Sequence, residues 1–307
     1  MCGDMDTIRA DEIVEHTLQR ANADLAARLE SDVVMLSAPI IVGLDDSIRD
    51  EIENLVEDRM DGEVAPKKLS VLLETSGGYI EIVERIVAVF RRHYSFVDFI
   101  IPNYAYSAGT VLALSGDDIY MDYYSVLGPI DPQFRTENGD SVPGLGYIAK
   151  YNELVEIINS ADDGDAAAVK AELAFLLRKF DPAKLFHIEQ AIQHSRDLVE
   201  EWLPKYKFKD WEITESTGKR VTMSFKKERA KSIADRLADA EHWHSHGRGI
   251  SKDELENDGI GLKINDFGSK SDLNHNIRHY HGLFSDYIRK LGIAGAVHTR
   301  NRLRRVA

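Results

Sequence analysis

One cysteine, Cys2, occurs in 307 residues, so no intramolecular disulfide can staple the fold and a cysteine nucleophile is not expected. That scarcity predicts a reducing compartment. Positive charge is also in the minority. The 38 lysines and arginines face 52 aspartates and glutamates, and the formal charge of −14 disfavours a nucleic-acid backbone as the main partner. Long hydrophobic runs are missing: the longest apolar stretch, VVMLSAPIIVGL at 33–44, is broken by Ser37 and Pro39 and falls short of the ~20 residues that span a bilayer. The opening MCGDMDTIRADE carries acids where a secretion signal needs basic residues and then an apolar run. These absences predict a soluble, cytoplasmic protein with no membrane partner. GxxxxGK[ST], HExxH and a cysteine pair are absent too, so neither a built-in ATPase nor a zinc peptidase of that pattern is expected, and no cofactor is called for.

The patterns present are those of an α/β protein. Val14, Leu18, Ala21, Leu25 and Leu29 recur three or four residues apart and predict an amphipathic helix over 11–30. VVML at 33–36 and IIVGL at 40–44 have strand composition, and a helix through IRDEIENLVEDRM follows. KLSVLLE at 68–74 predicts a buried strand ending in the turn TSGG. Ile80, Ile82, Val83, Ile86, Val87 and Phe90 then give a helical period, and FVDFII at 96–101 returns to strand. SAGTVLALSG predicts a short helix and DIYMD at 118–122 another strand. Repeated strand, helix, strand units imply a mostly parallel sheet with helices on its faces. Beyond the Gly- and Pro-rich stretch 123–146, helices are expected near 147–160, 165–180 and 184–202. After them come a strand or arm at KRVTMSF (219–225), further helices and a solvated basic tail at Arg300, Arg302, Arg304 and Arg305. The expected division is an N-terminal helix over 1–32, a core over 33–205 and a C-terminal extension over 206–307.

Chemistry concentrates in two short pieces, ETSGGYIEI (74–82) and NYAYSAGT (103–110). A serine hydroxyl becomes a nucleophile only when a base takes its proton, and its tetrahedral intermediate needs N–H donors for the oxyanion. Gly77-Gly78, directly after a parallel strand, allows the backbone to turn its N–H groups into a cleft; Ser107 at a helix start offers the N–H of Ala108. Both pieces follow the carboxyl ends of neighbouring strands, where α/β sheets bind ligands. Taken alone, a serine before a helix is most often an N-cap, and Ser107 reads first as one.

LLETSGGYIEIVERI followed by IPNYAYSAGTVLALSGDDIYMDYYSVLGPIDPQ resembles the SDH family of Clp-fold serine proteinases, the group named after serine dehydrogenase proteinase, and more distantly Clp protease and signal peptide peptidase A. The resemblance is strongest over 68–134. It implies a Clp/crotonase-like fold of repeated ββα units with helical extensions at both ends, and a serine peptidase acting on peptide or protein substrates. Ser107 matches the nucleophile, while Gly78 and Ala108 match the oxyanion donors and Gly77 supports the turn. Clp protease carries a histidine base near VLGPIDPQ, yet this chain has no histidine between His93 and His187. Signal peptide peptidase relatives use a lysine on the following helix, which points here to Lys150 in GLGYIAKYNEL. A lysine serves as base only when burial disfavours its ammonium form, and Leu145, Tyr147, Ile148, Ala149 and Tyr151 are its candidate shield; the other reading is an ordinary surface lysine. Asp131 either supports this loop or simply bonds its backbone. The family also implies a homo-oligomer, with any ATPase partner a separate chain. Two further classes keep the same parts: a crotonase-like acyl-CoA enzyme, with no covalent serine, and a non-catalytic Clp-fold interaction protein.

Weaker signals are read as structural. His242, His244, His246, His275, His279 and His281 invite a zinc reading, but no ligand motif accompanies them and no metal is expected. Asp162, Asp163 and Asp165 are read as a helix cap.

Overall fold

The computed structural model describes residues 9–57, 67–130, 133–135, 141–160, 174–178, 180–214, 217–243, 247–257 and 259–306. Its centre is a seven-stranded sheet. In chain order its strands are β1 (Asp32–Ser37), β2 (Lys68–Glu74), β3 (Phe96–Ile100), β5 (Asp118–Met121), β10 (Asn265–Asp266), β11 (Gly295–His298) and β12 (Leu303–Val306). The spatial order is β10-β5-β3-β2-β1-β11-β12. The first five run parallel, β11 pairs antiparallel with β1, and β12 pairs antiparallel with β11. This is the mostly parallel α/β sheet expected of a ClpP-like fold.

Each central strand is apolar on both faces, as a sheet covered on both sides requires. Val34 and Leu36 of β1, Leu69, Val71 and Leu73 of β2, and Val97 and Phe99 of β3 enter one core. That core is closed by α2 (Leu44–Glu57), α3 (Ile80–His93), α4 (Ala108–Leu114), α6 (Pro182–Lys205) and α7 (Met223–Leu237). The alternate residues Val33, Met35, Leu72 and Ile100 enter a second core under α1 (Ala10–Leu29) and α10 (Ser271–Leu291). Burying a large apolar side chain contributes about 1.5–3 kcal/mol, so truncating a central one such as Phe99 costs about 3–5 kcal/mol with its cavity. In the second core Asn22 of α1 donates to the Val33 carbonyl and to the Tyr280 hydroxyl, each at 3.0 Å, which ties both helices to β1.

Smaller pieces complete the chain. β4 (Tyr104–Ala105), β6 (Val126–Leu127) and β9 (Ile250–Ser251) form one sheet and β7 (Gln133–Arg135) pairs with β8 (Ser141–Pro143). The remaining helices are α5 (Gly144–Ser160), α8 (Ala240–Trp243) and α9 (Lys252–Glu256), the last closed by the capping box of Ser251 and Glu254.

Three expectations are corrected. Residues 40–44 form no strand: Ile40 makes a single bridge to Gly78, and Gly43 at φ +91 turns the chain into α2. KRVTMSF is no strand either, because the Thr222 hydroxyl accepts the Phe225 N–H and starts α7, leaving Arg220 in an isolated bridge with Ile213. The basic tail is not simply a solvated run, although Arg302 and Arg305 remain exposed. It is the strand β12, and Arg302 and Arg304 reach acids on α2, with Arg302 Nη2 2.8 Å from the buried Glu51. The helix expected over 165–180 lies largely outside the described residues.

Candidate active site

The turn after β2 is held by the chain that carries Ser107. Thr75 bridges Ala105 in parallel, donating its N–H to the Tyr104 carbonyl at 3.1 Å and accepting the Tyr106 N–H at 3.0 Å. Its hydroxyl accepts the Gly77 N–H at 3.1 Å. Gly77 and Gly78 then take φ of +92 and +150, conformations that suit only glycine. Space demands glycine as well: a Cβ on Gly78 would lie 2.0 Å from the Ile40 carbonyl oxygen. The Ile40 N–H donates to the Gly77 carbonyl at 2.8 Å, and the Tyr79 N–H donates to the Ile40 carbonyl at 2.9 Å. Because this bridge uses the groups on either side of Gly78, the Gly78 N–H is directed away from Ile40.

Ser107 sits at the N-terminus of α4 with φ 53 and ψ −119. Among the described residues only Glu30 shares a positive φ without being glycine, and such backbone strain concentrates where a side chain must be aimed. The residue holds the N-cap position, yet its side chain makes no capping bond. Its carbonyl accepts the N–H groups of Thr110 at 2.8 Å and Val111 at 3.2 Å, so the helix start is secured through the backbone. The Thr110 hydroxyl lies 2.8 Å from the Ala105 carbonyl and 2.9 Å from that of Gly128, and it accepts the Gly128 N–H at 3.0 Å. The VLGPI segment is thereby pinned to the serine turn.

The fold therefore brings Gly77, Ser107 and Ala108 into contact: a Cβ on Gly77 would stand 3.3 Å from the Ala108 nitrogen. Gly78 follows at once in the same turn. Lys150 has a different environment from the one anticipated. Its side chain is 60% exposed and Nζ lies 2.9 Å from both carboxylate oxygens of Glu153. The aromatic residues expected to shield it turn elsewhere, Tyr147 and Tyr151 packing on Phe180 with ring centres 4.7 and 5.6 Å away. Asp131 lies outside the described residues, as do His244 and His246.

The other histidines do not gather into a metal centre. His275 and His279 stack on one face of α10, and among the described residues no three His, Cys, Asp or Glu side chains are grouped to hold an ion. His281 instead meets Glu74, the last residue of β2, at 2.8 Å, while Asn103 donates to the same Glu74 oxygen at 2.9 Å. Burial alone would raise the Glu74 carboxyl, but the hydrogen bond and charge of His281, with hydrogen bonds from Asn103 and Ser37, hold it below its ordinary range. Burial and the nearby Glu74 charge push the Tyr104 phenol up. Sequence reading overlooked this cluster, although a glutamate closing an apolar strand directly before TSGG was a visible signal.

Residues 13–150 match the family model of the ClpP-like SDH-type serine proteinases. The match spans the Gly-Gly turn, Ser107 and, at its end, Lys150. Two uncharacterized proteins of Methanocaldococcus jannaschii are also similar. MJ0137 is 39% identical over 67 residues, 22% of this chain and 23% of its own length. MJ1495 is 37% identical over 87 residues, 28% of this chain and 29% of its own. The chain thus spans less than a third of the length of these curated relatives. Among solved structures, a mutant of the 1510-N membrane-bound stomatin-specific protease is similar over 53% of this chain and 83% of that one, at 17% identity and a TM-score of 0.31. The resemblance to the SDH-type proteinases read from TSGG and YSAGT is thus found independently over 13–150, and no helix among the described residues is long and apolar enough to cross a membrane.

Proposed function

We propose that this protein is a serine peptidase in which Ser107 attacks the peptide carbonyl carbon, with the N–H groups of Gly78 and Ala108 holding the oxyanion. One observation carries the reading: a non-capping serine with φ 53 at a helix N-terminus, set against a glycine turn that tolerates no side chain. Lys150 Nζ, when neutral, takes the Ser107 proton as the C–O bond forms and returns it to the amine that leaves. Water then cleaves the acyl-enzyme ester by the same proton route. Gly77 and Asp131 support the two loops. Since Lys150 is exposed and paired with Glu153 in the single chain, the dyad requires α5 to move it out of water, and self-association or substrate binding is the event we assign to that step. Peptides or proteins are the substrates, a homo-oligomer the working form, the cytoplasm its compartment and any ATPase a separate chain. The domain reading retained is a core of 33–205 between an N-terminal helix and a C-terminal extension.

A fluorophosphonate probe tests the reading. Ser107 should carry the label, Ser107→Ala should carry none, and Lys150→Ala should lose labelling while remaining folded. A folded protein left unlabelled at Ser107 sinks the proposal, and unchanged labelling of Lys150→Ala sinks the dyad alone. Acyl-CoA binding in place of labelling would favour the crotonase-like alternative.

A further inference from the structure

We infer that Glu74 and His281 form a positioning pair that holds the two halves of the proposed active site in register from the opposite side of the sheet; this rests on the peptidase reading. Glu74 ends the strand that leads to Gly77-Gly78, and Asn103 begins the segment that leads to Ser107. Asn103 Nδ2 and His281 Nε2 meet at one carboxylate oxygen of Glu74, at 2.9 and 2.8 Å, and the Ser37 hydroxyl donates to the other at 3.3 Å. The Glu74 and His281 side chains are only 13% and 14% exposed. A carboxylate so placed favours keeping every one of these donors, because an unpaired buried charge is costly.

The pair does not touch the serine. The helix α4 that follows Ser107 packs in one core, whereas α10, which carries His281, packs in the other. Its influence passes through the backbone. Next to Glu74, Thr75 bonds both Tyr104 and Tyr106, and next to Asn103, Tyr104 accepts the Thr75 N–H. A shift of Glu74 relative to Asn103 therefore shifts Gly77 relative to Ser107. One turn before His281 on the same helix, Arg278 donates to the Pro102 carbonyl, next to Asn103, and pairs with Asp122 just after β5, so α10 also holds the start of the serine-bearing segment. Groups facing the pair from other elements are Ser37 of β1, Asn103, and Tyr104 of β4, whose phenol feels the Glu74 charge. An oxyanion donor misplaced by a fraction of an ångström lowers the rate of acylation more than the affinity for the reagent.

The experiment measures fluorophosphonate acylation of Ser107 as a maximal rate and a half-saturating concentration, together with hydrogen exchange of peptides covering 75–82. His281→Ala should slow the maximal rate about tenfold or more with half-saturation unchanged, and should speed exchange over 75–82 but not over β1. His281→Gln keeps an N–H donor at the Nε2 position and should restore both. Asn103→Ala, which removes a different donor to the same carboxylate, should reproduce the defect and serves if His281→Ala does not fold. Wild-type rate and exchange in both alanine variants, or failure of His281→Gln to rescue, would overturn the pair. The two claims separate cleanly. An unlabelled wild-type Ser107 defeats the peptidase reading, whereas the exchange arm decides whether the pair holds the turn in either case.

Discussion

A Cβ on Gly77 would stand 3.0 Å from the Cβ of Ser107 and 2.7 Å from the Tyr106 carbonyl oxygen, so the glycine turn and the serine turn are packed backbone to backbone. Nothing larger than glycine separates them. Gly77→Ala should therefore abolish Ser107 labelling and cost about 1–3 kcal/mol for its φ of +92 alone, with more from the contact. Gly78→Ala should be the worse of the two, since its Cβ would meet backbone at 2.0 Å. Urea unfolding alongside probe labelling measures both.

Ser107 holds a positive φ that glycine adopts without cost. Ser107→Gly should gain roughly 1 kcal/mol in stability while losing all labelling, whereas Ser107→Ala should lose labelling with little gain. Equal stability of the two variants would show that the backbone at this position is not strained.

Two buried groups oppose each other in pH. Burial pushes the Asp98 carboxyl up to about 6, against the nearby Lys68, so the folded chain holds a proton that the unfolded chain releases, and stability falls as pH rises from about 4 to 6. Burial takes His298 down to about 4, so the unfolded chain gains a proton first as pH falls below about 6.5, and stability rises with pH over nearly the same window. The slopes offset. Asp98→Asn should unmask the His298 slope, approaching about 1.4 kcal/mol per pH unit, in urea unfolding at pH 4, 5 and 6. A flat profile in that variant would count against a neutral His298.

Glu51 is 1% exposed and faces Arg302 and Arg304 of the C-terminal segment. Replacing both arginines by alanine should destabilise the fold by about 3–5 kcal/mol, because a buried carboxylate loses its partners. Adding Glu51→Gln to that variant should recover part of the loss. Thermal unfolding of the three proteins decides it.

The parts legible in the sequence were those set by local pattern. The apolar alternation of KLSVLLE and FVDFII and the helical spacing of 80–90 gave the parallel units, and TSGG with YSAGT located the two turns that the fold packs together. What was misread depended on distant partners. RNRLRR has the charge of a solvated tail until Asp50 and Glu51 are placed beside it. IIVGL has strand composition but lacks a neighbour beyond one bridge at Ile40. His281 lies 207 positions from Glu74, so neither residue announced the other. The shield expected around Lys150 failed because Tyr147 and Tyr151 found Phe180 instead.

The pairing of β1 with β11 sets an order of events during synthesis. Ser37 takes Ala296 as its neighbour, so one edge of β1 stays open until residues 295–298 have been made. Contacts this remote in sequence form slowly, and an open apolar strand is a target for chaperones and for mispairing meanwhile. Ser37 is also a donor to Glu74, which means that the surroundings of the glycine turn are completed only after residues 295–298 have left the ribosome. Nascent chains cut short upstream of β11 would carry Ser107 and the five parallel strands with the outer edge of β1 uncovered.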